Sequence, residues 1–250
     1  MSAPDIESPP PFNPQPDPPK EISVGETLTG IFFEPGAVFE SLRTRPRFLV
    51  AGLVLILLTV VVTAVLYARV DMGQFIREKM DRSPRAAEQT EAQKEMGAKI
   101  GKTMGMIMVP LSVPIGVAAG AALYLLGVMA FAGSISYRQS VSLWVYSSLP
   151  PSVVASLVAV IVLLIKSPDT IDPEHMLVTN PGAFMGDGSS PALVALLTQF
   201  DLVKFYGLFL AALGLRKIAK LSSGSAWGLV LGYWLIGTVL RVIWALAFGN

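Results

Sequence analysis

Residues 48–67 read Phe-Leu-Val-Ala-Gly-Leu-Val-Leu-Ile-Leu-Leu-Thr-Val-Val-Val-Thr-Ala-Val-Leu-Tyr, and they limit what this chain can fold into more than any other stretch. No side chain among them is charged, and their polar atoms are the hydroxyls of Thr59 and Thr63 and the terminal phenol of Tyr67. An α-helix of about 20 residues rises about 30 Å, the thickness of a bilayer's hydrocarbon core. A helix lying on a soluble core shows a polar stripe at the helical period, and this run is apolar on every side. Arg43, Arg45 and Arg47 precede it, and Arg69 and Asp71 follow. The stretch reads as a transmembrane helix.

The rest of the chain suits the same setting. Of 250 residues, 52% are hydrophobic and 15% charged, where soluble domains carry about 25% charge. A net charge of +1 leaves no basic footprint for nucleic acid. Cysteine is absent, so disulfides and thiolate metal sites do not enter. Residues 1–22 hold Pro4, Pro9, Pro10, Pro11, Pro14, Pro16, Pro18 and Pro19 with almost no apolar partners, the signature of a disordered tail. That tail is a candidate surface for a protein partner.

Residues 23–250 read as one membrane domain. The approach to the first span carries Pro35 at a helix start, with Val38, Phe39 and Leu42 on one face and Pro46 as a stop. This amphipathic juxtamembrane helix has two possible places, in the lipid interface or against the end of the bundle. After the first span, residues 68–103 form a charged connection that Ser83-Pro84 divides into two surface helices, about 71–81 and 86–102. Further spans are expected at about 104–131, 141–165, 201–219 and 225–248, with residues 191–200 a short interfacial lead into the fourth. The fold class is therefore all-α, an integral membrane bundle of five transmembrane helices.

Within the spans, Pro110, Pro114, Pro150 and Pro151 are expected to kink their helices. Gly116 and Gly120 form a small-xxx-small pair, and Gly224, Gly228 and Gly232 a glycine face expected to lie against the preceding span. Charge is scarce there. Folding the last two spans as a hairpin about Ser222 brings Arg241 to the depth of Asp201, with Lys204 nearby. A guanidinium in the bilayer costs about 2.5–3.5 kcal/mol on insertion scales, so it pairs or snorkels. Two arrangements follow: an Asp201–Arg241 pair with Lys204 competing, or all three reaching the outer headgroups.

Catalytic constellations are missing. His175 is the single histidine, placed in the turn-rich loop 167–190, and no Gly-x-Ser-x-Gly, P-loop or dinucleotide fingerprint occurs. The reading is of a protein that is not an enzyme and needs no cofactor or metal. Arg43, Arg45, Arg47, Arg138, Arg216, Lys217 and Lys220 fall on one side of five spans, which the positive-inside rule makes cytoplasmic. The N-terminus is then inside and the C-terminus outside.

Three stretches carry a family resemblance. Glu34-Pro35…Phe39…Leu42-Arg43…Arg45-Pro46, Tyr146-Ser147-Ser148-Leu149-Pro150 and Phe200-Asp201-Leu202…Gly207-Leu208…Leu213-Gly214-Leu215 together resemble the Yip1 family of multi-pass membrane proteins, over residues 25–248. Eukaryotic members of that family work with small Rab-type GTPases in vesicle traffic and carry an Asp-Leu-Tyr-Gly-Pro-like motif before the first span. This chain lacks that motif and has a longer first extramembrane connection, as in the bacterial branch, so GTPase binding is not carried over. The resemblance implies a bacterial inner-membrane protein in contact with lipid. Two functions fit: a non-enzymatic scaffold or adaptor, and, as the alternative, a small permease or transporter subunit.

Overall fold

The computed structural model of the chain describes residues 23–83, 88–173, 176, 179–186 and 188–248; the proline-rich tail and His175 lie outside them. The helices are α1 (Val24–Phe33), α2 (Pro35–Thr44), α3 (Leu49–Arg69), α4 (Met72–Asp81), α5 (Glu91–Ala130), α6 (Tyr137–Ile165), α7 (Pro191–Leu197), α8 (Leu202–Ile218) and α9 (Ser223–Phe248). Short 3-10 turns at Pro168–Thr170 and Pro181–Phe184 complete the regular structure among the described residues, and none of it is strand. Helices α3, α5, α6 and α9 are long and apolar enough to cross a bilayer, and the pair α7 and α8 would make a fifth crossing.

Helix α6 is the hub: it packs on α3, α5 and α8, while α8 in turn meets α9. Two contacts mark the edges of the layer these helices form. Gln139 of α6 donates its Nε2–H to the carbonyl of Arg43 at 2.6 Å, in the last turn of α2. At the other end Arg69 donates from Nε to the Leu163 carbonyl at 3.0 Å and from Nη2 to that of Lys166 at 3.1 Å. There a cation meets the negative end of α6 and bonds the carbonyls that the helix leaves open. About 36 Å of helix separate Gln139 from Leu163, which puts Pro151 near the middle. We call the Arg43 side the basic end and the Arg69 side the far end.

At the basic end α1 and α2 form a layer under the bundle. Ser23 and Glu26 start α1 with reciprocal bonds of 3.1 and 2.7 Å, a capping box. Val38, Phe39 and Leu42 of α2 are buried, and the Phe39 ring lies where a Cβ on Gly214 of α8 would come within 3.1 Å. Of the two places open to this amphipathic helix, it takes the one against the bundle.

The charged connection differs from its expected form. The second surface helix and the second span are one 40-residue helix, α5, begun by a capping box between Thr90 and Gln93. Once nucleated, each added residue contributes another hydrogen bond, and no proline intervenes before Pro110 to stop it. Its first turns stand beyond the membrane layer and pack on α4, with Met80 over Gly97 and Ile76 over Gly101. Lys94 joins the two helices, 2.7 Å from Asp81 and 3.3 Å from Glu91.

Neither α5 nor α6 is interrupted at its prolines, Pro110, Pro114, Pro150 and Pro151. Helices α7 and α8 match the expected lead at 191–200 and span at 201–219, and a 50° bend lies between them. The glycines are also redistributed. A Cβ on Gly120 would overlap the Trp144 indole, and one on Gly127 would overlap Leu229 and the Tyr233 hydroxyl, but Gly116 has open space. On α9, Gly232 is open, Gly228 reaches only the Phe131 ring edge at 3.9 Å, and Gly224 only the Ser222 hydroxyl at 4.0 Å. Buried Ala226, Leu229 and Val230 lie about half a turn away from that glycine face. Glycines are needed where bulky side chains arrive, and on α8 Gly207 and Gly214 receive Pro151 and Leu143 of α6.

Candidate functional site at a broken helix

Four residues, 198–201, separate α7 from α8, and the chemistry of the break begins with the helix start. Asp201 is extended, with φ −102° and ψ 127°, so its side chain turns back over the first turn of α8. Oδ1 accepts the backbone N–H of Val203 at 2.8 Å and of Lys204 at 3.1 Å, a helix cap made stronger by its charge. Oδ2 accepts from the Thr179 hydroxyl and, at 3.3 Å, from the Asn180 amide. The Leu202 N–H donates to the Thr179 carbonyl at 3.3 Å, so the connecting segment is tied to the same helix start. Asp201 is buried by these partners.

The end of α7 is satisfied from the other side. Lys204 extends back so that Nζ donates to the Thr198 carbonyl at 3.3 Å and to Gln199 Oε1 at 2.9 Å. Gln199 in turn donates to the Ala195 carbonyl at 3.1 Å. These bonds serve carbonyls that a helix terminus leaves without partners. Phe200 and Phe205 close the break against α9, their ring centroids 5.6 and 5.8 Å from that of Trp234.

Depth follows from the contacts. A Cβ on Gly207 would lie 3.4 Å from Pro151, so Gly207 is near the middle of the layer. Asp201 is then about 9 Å toward the far end. Arg241 lies about 10 Å beyond Trp234 along α9, at the far edge. It is exposed and lines a cleft of 370 Å³ between α7 and α9 with Thr198, Gln199, Leu240 and Trp244. A second cleft of 430 Å³, between α6 and α8, is lined by Ser147, Ser148, Ser152, Asp201 and Lys204.

The expected Asp201–Arg241 pair does not form: among the described residues no ion pair links them, and four donors already occupy the Asp201 carboxylate. Arg241 is exposed on α9. Lys204 does not compete for the carboxylate with its side chain either. Thr179, Asn180 and Gln199 are the partners that sequence reasoning missed. The signal for the cap was present, since an aspartate directly before an apolar helical run is a helix-start mark.

The basic end holds a different cluster. Glu40 bridges Arg43 at 2.9 Å and Lys220 at 2.9 Å, tying α2 to the turn between α8 and α9. The hydrogen bond from Lys220 is the main cause that holds the Glu40 carboxyl below its ordinary range; burial opposes it, and the hydrogen bond from Arg43 adds to the lowering. Among the described residues no group of three or more His, Cys, Asp or Glu side chains could hold a metal ion.

An all-helical, multi-pass membrane protein is thus defined, whose polar side chains serve helix ends and the seams between helices. Residues 29–245 match the Yip1 domain, and the chain belongs to the Yip1 domain family. No curated protein and no solved structure matches it.

Proposed function

We propose that the chain is a non-enzymatic membrane scaffold or adaptor, with its basic end and N-terminus on the cytoplasmic side of a bacterial inner membrane and its C-terminus outside. The observation that carries this reading is the layer of α1 and α2. Phe39 on Gly214, Gln139 on the Arg43 carbonyl and Glu40 on Lys220 hold it in one orientation across the ends of α6 and α8. Such a layer presents the preceding tail to protein partners from a fixed base. The buried carboxylate of the bundle, Asp201, acts as a cap, which supports a structural rather than a catalytic role.

Crosslinking and pull-down from native membranes tests this. A discrete protein partner is expected with the full chain and lost when residues 1–20 are deleted. Recovery of only the chain itself or lipid would overturn it. Because the chain has no cysteine, single cysteines placed at Thr44 and Lys99 report sidedness: impermeant thiol reagents added outside should label Lys99→Cys and not Thr44→Cys. A small permease is the second reading, favoured by the serine-lined cleft beside Pro151. Solute uptake into liposomes that Lys204→Ala abolishes would favour it over the adaptor.

A further inference from the structure

We propose that the cleft between α7 and α9 binds the phosphate of an anionic phospholipid, held mainly by Arg241 with Lys204 as the supporting charge. The first argument is charge. Lys204 Nζ reaches Gln199 Oε1 at 2.9 Å, Gln199 lines the cleft with Arg241, and Asp201 is the one carboxylate at the break among the described residues, so the break carries one positive charge more than it compensates. The Asp201 oxygens take four hydrogen bonds from Val203, Lys204, Thr179 and Asn180. Neither cation has a carboxylate within ion-pair distance among the described residues. A cation in the bilayer calls for a counter-charge, and none of the described residues supplies one.

Geometry makes the same point. Arg241 faces the cleft together with Thr198 and Gln199, and no acidic residue lines it. A guanidinium forks onto two phosphate oxygens, while the Thr198 hydroxyl and Gln199 amide beside it are held in place by the Ala195 carbonyl. Leu240 and Ala245 form an apolar wall suited to an acyl chain, and Trp244 stands where interfacial tryptophans sit. The depth of Arg241 is that of headgroup phosphates, whereas a soluble anion would have to enter from water past Trp244. A lipid is the fitting occupant.

The test is native mass spectrometry of the full-length protein in detergent, offered equimolar phosphatidylglycerol and phosphatidylcholine. One basic residue near a headgroup gives about a fivefold preference for the anionic lipid. The wild type should show at least that. R241Q should bring the two lipids close to parity, K204Q should lower the preference partway, and R241K should keep most of it. K99Q, which removes a surface charge on α5, should change nothing. Excess glycerol phosphate or inorganic phosphate should leave the lipid adducts in place; displacement would mean a site for free phosphate and overturn the proposal. So would a wild type without preference, or an R241Q protein that retains it. If R241Q does not fold by size exclusion, R241K against K204Q decides: equal loss in both, or loss in neither, overturns it.

Discussion

Glu40 and Asp201 are both carboxylates among cations, and their surroundings differ in one respect. Glu40 neutralises Arg43 and Lys220 and joins elements 180 residues apart in the chain. Asp201 instead binds two backbone amides and two neutral side chains, leaving Lys204 and Arg241 without an acidic partner among the described residues. The phenylalanine beside each carboxylate, Phe39 or Phe200, shows the same contrast. Phe39, Leu42, Leu143, Tyr146 and Leu215 are almost wholly enclosed, and Phe39, Leu42 and Leu143 belong to the basic end. Phe200 at the break is 43% exposed. The basic end is thus closed by long-range packing and ion pairing, whereas the break between α7 and α8 is held by hydrogen-bonded caps that leave its two cations without an acidic partner among the described residues.

The largest test of that difference is Phe39→Ala against Phe200→Ala. Removing a fully enclosed phenylalanine costs about 3–5 kcal/mol. Phe200 shares its contacts with lipid, and loss of its aromatic neighbours costs about 0.5–1.5 kcal/mol. Thermal unfolding in detergent should order the variants that way. Equal losses would show that the far end is packed as firmly as the basic end, and the division would fail.

Gly120→Ala against Gly116→Ala comes next. The first puts a Cβ into the Trp144 indole, an overpacking that costs about 1–3 kcal/mol. The second meets nothing within 4 Å and should stay within about 0.5 kcal/mol of wild type. Such a pair also shows what sequence reading can reach. Hydropathy located the spans because the bilayer acts on each segment separately, and each backbone must satisfy its own hydrogen bonds inside it. Glycine spacing marked α5 as a helix able to accept a close neighbour, yet Gly116 and Gly120 look alike in sequence. Which of them receives an indole depends on where α6 places Trp144, information held in another part of the chain. The glycine face of α9 failed for that reason too.

Asp201→Ala is expected to cost about 1–2 kcal/mol, the loss of a helix cap. Asp201→Asn should recover most of it, because an amide oxygen caps nearly as well as a carboxylate oxygen. An interaction that depended on the charge, such as a pair with Arg241, would not be recovered by asparagine. Comparable losses in both variants would therefore bring the ion pair back. The sequence contained half of this answer. Treating Asp201 as a charge suggested Arg241 as its partner; treating it as the residue before an apolar run points to the Val203 and Lys204 amides. Thr179 was beyond reach, since nothing local to it shows that it folds back under α8.

The smallest effect is the most specific to the basic end. With its folded-state pKa lowered by Lys220 and Arg43, Glu40 binds a proton less readily in the folded protein than in the unfolded chain. Its contribution is therefore fully present above the ordinary glutamate range and fades as pH falls through that range toward the lowered value. Both partners are partly exposed, so the contribution is about 0.5 kcal/mol, and salt weakens it. Unfolding of the wild type and E40Q, compared at neutral pH and again well below the glutamate range, should differ in the first case and converge in the second. On a K220Q background the neutral-pH gap should shrink, since Glu40 then keeps only the Arg43 contact. A gap between wild type and E40Q that stays constant with pH would mean that Glu40 acts by packing, and that the basic end, like the break between α7 and α8, holds its charges without pairing them.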